Sequence, residues 1–269
     1  MKAFGTWLHE QSSEELRPEN ITPIDVAEYR SYLLTKGRKP ASINRVLISI
    51  CTFCNWGINT NQIAANPVRE IMTVKQQQLS PKALDRKEQL ALMRAVQRDG
   101  SLRDVTIITL MLHSGIRVSE LVDIELDDIA LSDRSGWLIV REGNGKKQRK
   151  IPLNSTVSQV LKKYLNEKPD AYDRHLFLSQ KSGLLTTRAV QYVVEKYAYN
   201  AKLEGVSPHS LRHTAAKNLI DQGISLDKVA MILGHSNLNV TARYTIPTER
   251  DLESALEKVT WEKKSYQYR

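Results

Sequence analysis

The amino-acid sequence predicts a mainly α-helical protein in two parts: a small all-helical domain, then a mostly helical domain with one small antiparallel β-hairpin sheet. Apolar residues recur at helical spacing through most of the 269 residues. Only "WLIVRE" and "QRKIPL", on either side of "GNGKK", are typical of paired strands around a glycine-containing turn. A polar stretch at residues 73–85 has no apolar period. We therefore place the domains at residues 1–75 and 85–269, joined by a linker at 76–84.

The first part reads as short amphipathic helices. In "ITPIDVAEYRSYLLTKG" the pair Thr22-Pro23 is typical of a helix start, and Gly37 of a helix end. A second helix follows in "PASINRVLISICTFCNWGI", and "NPVREIM" predicts a further short one.

The second part begins with two helices, "RKEQLALMRAVQRD" and "SLRDVTIITLMLHSG", the latter ended by Gly115 as a C-cap. A further helix begins in "VSELVDIELDDI", the hairpin follows it, and "HLFLS" predicts another small strand. Later helices are predicted at about residues 154–168, 186–203, 208–222, 226–233 and from 239 onward.

Two cysteines, Cys51 and Cys54, form a C-x-x-C pair that would be compatible with redox or zinc chemistry. They lie, however, in a segment where Ile43, Leu47 and Ile50 share one helical stripe with Cys54. No second cysteine pair is present to complete a zinc site. We interpret both cysteines as small, apolar-like core residues.

The charge of the chain leaves two interpretations open. The formal net charge is +9; residues 1–80 hold 9 Lys/Arg and 7 Asp/Glu, a net of +2, so +7 falls on the rest. Such a surface favours a polyanion such as nucleic acid, or is simply a solvated basic surface. No apolar run approaches the length of a membrane span, and we expect a cytoplasmic protein.

The segment "SPHSLRHTAAKNLI" carries the first candidate site. Ser207 and Pro208 are typical of a helix start, which places His209 in the first turn, where the helix dipole favours an anion and a neutral imidazole. Arg212 lies three residues further on the same face. The spacing of His209 and His213 would also suit zinc, but Arg212 would repel the cation. An oxyanion such as phosphate is better matched.

Other residues of the same chemical kind occur elsewhere in the second part. Arg117 follows the glycine cap of a helix, with Glu120 three residues later able to orient it, and His235 follows another glycine-ended helix. Tyr244 lies in "NVTARYTIP". Taken singly, these side chains are also compatible with a surface ion pair, a capping histidine and a core tyrosine.

Four segments together resemble motifs of the tyrosine recombinase (phage-type integrase) family: "SGIRVSELVDI", "HSLRHTAAKNLIDQG", "VAMILGHSNLNVTARYT" and the strand pair around "GNGKKQRKIPL". They occur in the family's order and spacing, and the resemblance covers nearly the whole chain. The N-terminal part resembles the helical core-binding domain of Xer-like members. The combination of motifs is far more specific than any one of them.

The resemblance implies a DNA-clamping first domain, a catalytic second domain and a 3′-phosphotyrosyl intermediate, without a metal or other cofactor. Tyr244 would be the nucleophile, Arg117 and Arg212 would clamp the phosphate oxygens, and Glu120 would support Arg117. His209 would bind the phosphate and accept the phenolic proton, and His235 would donate to a phosphate oxygen. His213 is interpreted as structural.

One position departs from the family pattern. The hairpin turn of the family carries a lysine that protonates the 5′-oxygen leaving group, and Asn144 occupies that register here. An amide cannot act as a general acid. Lys146, with Lys147 as the second candidate, lies in the same predicted turn and would substitute; the alternative is that protonation of the leaving group is weak.

The resemblance also implies partners. The expected partner is duplex DNA with an inverted-repeat core site in the prokaryotic nucleoid, bound by four protomers that exchange the tail "TERDLESALEKVTWEKK" or pack it on their own domain. The expected activity is site-specific recombination for a mobile element. A type IB-like topoisomerase and a catalytically weak DNA-binding relative are the alternatives.

Overall fold

The structure is a computed structural model that describes residues 1–69, 71, 73–75, 82–132, 135–141, 148–168, 174–179, 183–234 and 241–242. The chain divides into two compact units, Met1–Leu79 and Ser80–Arg269, and each has its own hydrophobic core. None of the helices in the described ranges is long and apolar enough to span a membrane.

The first unit is built from helices, as predicted. Thr22 caps the second of them: its hydroxyl accepts from the backbone N–H of Asp25, whose carboxylate in turn accepts from the Thr22 N–H. The helices are α1 (Lys2–Ser12), α2 (Pro23–Thr35) and α3 (Pro40–Asn59), with a short 3₁₀ turn at Pro18–Asn20.

Helix α3 buries the stripe predicted from its sequence, including Ile43, Leu47 and Ile50. Cys54 is fully buried in the same stripe, and burial raises the pKa of its thiol to about 11. Cys51 is half-buried and packs against the same core. A thiol held protonated in an apolar environment is a poor nucleophile and a poor metal ligand, which agrees with a packing role.

The prediction of a short helix in "NPVREIM" is wrong for the described part of this segment, because Pro67–Arg69 form a turn. The Asn66 side chain explains the turn. Its amide nitrogen donates to the Cys51 carbonyl, and its amide oxygen accepts from the Val68 N–H. Asparagine side chains that bond the local backbone favour turns over helix interiors.

The second unit is helical with one small sheet, as predicted. Helix α5 is buried on nearly all sides, which is the arrangement of a helix at the centre of a domain. The helices are α4 (Arg86–Asp99), α5 (Leu102–Ser114), α6 (Val118–Val122), α7 (Ser155–Glu167), α8 (Thr187–Asn200), α9 (Pro208–Asp221) and α10 (Leu226–Leu233).

The sheet has three antiparallel strands in the order β1-β2-β3: β1 (Ile129–Leu131), β2 (Gly136–Arg141) and β3 (Gln148–Leu153). The hairpin of β2 and β3 was predicted, but β1 was not. Residues 118–129 were predicted as the start of one helix, whereas α6 ends at Val122. The Asp128 carboxylate accepts from the Glu125 N–H in a short 3₁₀ turn, which ends the helical path before β1.

Two further predictions differ from the structure or lie outside it. The segment "HLFLS" is not a regular strand, since only His175 and Leu178 form isolated bridges, with Glu125 and Leu184. The helix predicted from residue 239 lies outside the described residues, except for the helical pair Thr241 and Ala242.

Candidate active site

The N-terminal turn of α9 presents the first group of candidate residues. The Ser207 hydroxyl accepts from the Ser210 N–H and Pro208 is the first helical residue, as predicted. This start places His209 in the first turn and Arg212 one turn later. Arg212 is only 4% exposed, so its guanidinium is directed into the domain rather than into solvent.

Arg212 joins the ends of two other helices. Its Nη1 donates to the Gly115 carbonyl and its Nη2 to the Leu233 carbonyl, both at 2.7 Å. Gly115 and Gly234 each end a helix in the left-handed conformation, at φ 61° and 68°. Carbonyls at helix C-termini carry partial negative charge, so they stabilise and orient the guanidinium.

Arg117 occupies the start of α6, and Glu120 lies in the first turn. The Glu120 carboxylate accepts from the Arg117 backbone N–H at 2.9 Å and from its Nη1 at 2.7 Å. Arg117 Nη2 donates to the Gly234 carbonyl at 2.8 Å. The guanidiniums of Arg117 and Arg212 therefore bind the carbonyls of consecutive residues, Gly234 and Leu233. Glu120 orients Arg117, as its sequence position predicts.

Arg149 on β3 completes the group, and the sequence analysis missed it. Its Nη1 and Nη2 donate to the two Glu120 carboxylate oxygens at 2.8 and 2.7 Å, and its Nε donates to the Ile232 carbonyl at 3.0 Å. A signal was present, because period-two alternation places Arg149 on the same face of β3 as the buried Ile151 and Leu153. We refer to Arg117, Arg149, Arg212 and Glu120 as the arginine cluster.

Glu120 is ionised at the centre of the arginine cluster. Its burial alone would raise the pKa of the carboxyl, but the hydrogen bonds from Arg149 and Arg117 outweigh burial and lower it to about 2. The side chain is 8% exposed, so the carboxylate is held in a fixed position by its partners. Its charge offsets part of the positive charge of the three arginines.

Glu120→Gln is expected to lower the free energy of unfolding by on the order of 3 kcal/mol at pH 7, since it breaks a buried ion pair. Because folding lowers the pKa of Glu120, the stabilisation by its carboxylate is complete above the ordinary glutamate pKa of 4.5. It is lost as the pH falls towards 2. Urea unfolding of both proteins between pH 7 and pH 3 measures the difference, which should shrink below pH 4.5. The exposed Glu195 is the control: Glu195→Gln should change little, and a pH-independent gap for Glu120→Gln would contradict the assignment.

His209 and His213 lie next to each other on α9, with ring centroids 4.0 Å apart in an edge-to-face arrangement. Burial and the neighbouring Arg212 lower the pKa of His209, which keeps the imidazole neutral at pH 7. A neutral imidazole can accept a proton and donate a hydrogen bond. His213 is buried. Within the described ranges, no cluster of three or more His, Cys, Asp or Glu side chains is arranged to hold a metal ion.

The remaining predicted site residues lie outside the described part of the chain. These are the expected nucleophile, the second histidine and the three residues predicted to lie in the hairpin turn, namely Tyr244, His235, Asn144, Lys146 and Lys147. The structure thus brings together Arg117 and Glu120 from one segment of the sequence with His209 and Arg212 from another. With Arg149, these side chains can bind and neutralise an oxyanion such as a phosphodiester.

Comparison with known proteins identifies the class to which this site belongs. The protein-family model described as "Phage integrase family" matches residues 82–250, which is more than half of the chain. Tyrosine recombinase XerC of Thermodesulfovibrio yellowstonii is 33% identical over 242 residues, covering 86% of this chain and 79% of that protein. Tyrosine recombinase XerC of Staphylococcus haemolyticus is 34% identical over 234 residues, covering 85% and 78%.

Solved structures share the fold. The XerH site-specific recombinase bound to palindromic difH substrate, in a post-cleavage complex, aligns with a TM-score of 0.75 at 23% identity, covering 89% of this chain and 72% of that one. The Tn1549 transposon integrase in complex with a circular intermediate DNA aligns with a TM-score of 0.73 at 21% identity, covering 96% and 92%. The chain belongs to the phage integrase family. It is a Xer-like tyrosine recombinase, which confirms the family and enzyme class predicted from its four motifs.

Proposed function

We propose that this chain is a site-specific recombinase that cuts and rejoins duplex DNA through a 3′-phosphotyrosyl intermediate. The observation that carries the proposal is the convergence of Arg117 and Arg212 on consecutive carbonyls at the end of α10, beside the neutral His209. Two guanidiniums fixed by the protein suit the two nonbridging oxygens of one phosphodiester. The family membership supports the same reaction.

In the proposed reaction the Tyr244 phenol attacks the scissile phosphorus and the 5′-oxygen of the next nucleotide leaves. The phosphate ester bond is exchanged rather than hydrolysed, so no nucleotide cofactor is needed to rejoin the strands. A phenol has a pKa of about 10 and needs a base, for which neutral His209 is suited. Arg117 and Arg212 stabilise the charge that grows on the pentavalent phosphate, and His235 donates to one of its oxygens.

The expected substrate is a duplex with an inverted-repeat core site, bound by four protomers. The named complexes of XerH with a palindromic difH substrate and of the Tn1549 integrase with a circular intermediate DNA support DNA of this kind. The net charge of +9 supports phosphate contacts as the main source of affinity, which should fall steeply with salt. We place the recombinase in a mobile element, and inverted repeats in the DNA flanking its gene would test that setting.

A suicide substrate, in which a nick beside the cleavage site lets the leaving strand diffuse away, tests the proposal. The wild-type protein should accumulate a covalent protein–DNA product, and it should do so in EDTA. If no covalent product forms, the chain is a DNA-binding protein without cleavage activity. Covalent product without joining of strands between two sites would indicate a topoisomerase-like reaction instead.

Lys146→Ala and Lys147→Ala are expected to have different effects. The variant that lacks the lysine protonating the 5′-oxygen should cleave roughly 100-fold or more slowly than wild type, as is typical of the loss of a general acid. The other variant should lose only DNA affinity and some salt dependence. We expect Lys146 to be the acid, since it is two residues from Asn144 and side-chain direction alternates along a strand.

A substrate with sulfur at the 5′-bridging position provides the readout, since a thiolate leaves readily without a proton. It should restore cleavage to the defective lysine variant, and Asn144→Lys should raise the rate on the normal substrate. Normal cleavage by both alanine variants would exclude every lysine of this turn as the acid.

A further inference from the structure

The C-terminal end of α10 is the common acceptor of three arginines. Arg149 Nε donates to the Ile232 carbonyl at 3.0 Å, Arg212 Nη2 to the Leu233 carbonyl at 2.7 Å, and Arg117 Nη2 to the Gly234 carbonyl at 2.8 Å. The negative end of the helix dipole stabilises cations there. Two of these arginines have roles in the proposed reaction, whereas Arg149 has none so far.

Arg149 shares the Glu120 carboxylate with Arg117, and both of its η nitrogens donate to it. Each Glu120 oxygen accepts two hydrogen bonds. One oxygen accepts from Arg117 Nη1 and Arg149 Nη1, and the other from the Arg117 backbone N–H and Arg149 Nη2. Glu120 is thus shared, and its position depends on both arginines. The Arg149 side chain is 14% exposed and that of Arg117 is 38% exposed, so Arg117 is the more accessible to a phosphate.

Arg149 also packs against the end of α10. A Cβ atom on Gly234 would lie 2.8 Å from Arg149 Nη1 and 2.9 Å from its Cζ. The guanidinium therefore lies directly against the Gly234 backbone, whose carbonyl accepts from Arg117. Gly234 has a φ of 68°, which disfavours other residues, and a side chain at this position would have to displace the Arg149 guanidinium. The next residue in the sequence is His235.

We propose that Arg149 is a positioning residue for the recombination chemistry: it holds Glu120, and through Glu120 and the end of α10 it fixes the guanidinium of Arg117. This inference rests on the proposed function, since it assigns a role within that reaction. Without Arg149, the Glu120 carboxylate has only Arg117 as a charged partner in the described network. It would then draw the Arg117 guanidinium towards itself and away from the scissile phosphate.

A second explanation for any effect of Arg149 has to be separated from this one. Arg149 pairs with Val140 across the hairpin, and β3 begins only one residue earlier, directly after the segment of sequence that contains Lys146 and Lys147. Loss of Arg149 could thus act by misplacing the lysine that protonates the leaving group. A 5′-bridging sulfur substrate distinguishes the two, because it removes the need for that proton but still requires Arg117.

The test compares Arg149→Met and Arg149→Lys with wild type in the full-length chain. The measured quantities are the single-turnover cleavage rate on a suicide substrate at saturating DNA, the Kd for the same DNA, and thermal unfolding. We expect Arg149→Met to cleave about 100-fold more slowly, as for misplaced reacting groups, with a Kd close to that of wild type. The sulfur substrate should not restore the rate. Arg149→Lys should lose on the order of tenfold, because one ammonium cannot reproduce the three-point contact.

Arg141→Met is the matched control. It removes an arginine–carboxylate ion pair from the neighbouring strand, with Arg141 Nη2 2.7 Å from Asp128 Oδ1, and leaves the arginine cluster intact. It should reduce stability without slowing cleavage. In the double variant with Glu120→Gln, Arg149→Met should add little to the loss, because both changes act through the same contact.

The possible results separate the inference from the function on which it rests. If wild type forms no covalent product, the proposed function fails. If wild type cleaves and both Arg149 variants cleave within about threefold of it, the positioning role is wrong. The positioning role is also wrong if the sulfur substrate restores the cleavage rate of Arg149→Met. If Arg149→Met does not fold, Arg149→Lys decides by the same criteria.

Discussion

Tyr244→Phe is expected to abolish the covalent protein–DNA product while leaving DNA affinity nearly unchanged. The change removes a single hydroxyl, which is the only nucleophile in the proposed reaction. That hydroxyl adds little to binding that depends on many phosphate contacts. Gel analysis of the suicide-substrate reaction under denaturing conditions measures the covalent product, and a gel shift on intact DNA measures affinity. The loss should be complete within the detection limit, since phenylalanine has no group that can attack phosphorus.

Tyr199→Phe provides the control for this prediction. Tyr199 is 82% exposed at the end of α8, so the same chemical change there should affect neither quantity. Covalent product from the Tyr244 variant would remove Tyr244 as the nucleophile and point to another hydroxyl. Loss of affinity together with cleavage would instead indicate that the change had disturbed the fold.

Arg212→Lys is expected to be severely impaired even though it preserves the charge. The guanidinium joins the carbonyls of Gly115 and Leu233, which belong to the ends of two different helices, and it is 4% exposed. A lysine ammonium is a point charge that cannot span these carbonyls and also bind a phosphate oxygen with fixed geometry. Loss of one such donor costs on the order of 3 kcal/mol, or roughly 100-fold in cleavage rate.

Single-turnover cleavage at saturating DNA measures this effect, with thermal unfolding recorded in parallel. Arg98→Lys is the matched control, because Arg98 is an exposed arginine that pairs with Asp99 on the surface of α4. That variant should cleave like wild type. A folded Arg212→Lys protein that cleaves within about threefold of wild type would exclude a bidentate role for Arg212.

Local chemistry explains which parts of the site were predictable from the sequence. The start of α9 at Ser207 and Pro208, the glycine end of α5 at Gly115 and the pairing of Arg117 with Glu120 each involve residues a few positions apart. Capping and first-turn interactions of this range leave a readable signature. The contact of Arg212 with Leu233 joins residues 21 positions apart and has no such signature.

Arg149 and β1 were missed for physical reasons of this kind. Arg149 meets Glu120 across 29 positions of sequence, so only its place on the buried face of β3 gave a hint. Strand β1 has three residues, too few for alternation to be recognised, and its formation depends on pairing Ile129 with Leu138 in β2. The acidic run before it was compatible with a continuing helix until the Asp128 carboxylate turned back to bond the Glu125 N–H.

The composition of the arginine cluster has a consequence for how charge changes during the reaction. Three guanidiniums and the ionised Glu120 leave a net charge of +2, and His209 adds none while it is neutral. A phosphodiester brings one negative charge, whereas a pentavalent phosphorane carries two. The proton that His209 takes from Tyr244 stays in the site, so the charge of the site rises by one as that of the phosphate falls by one, and the attraction between the two grows towards the top of the barrier. Attraction that grows along the reaction coordinate accelerates bond exchange, whereas attraction already complete in the bound substrate only tightens binding.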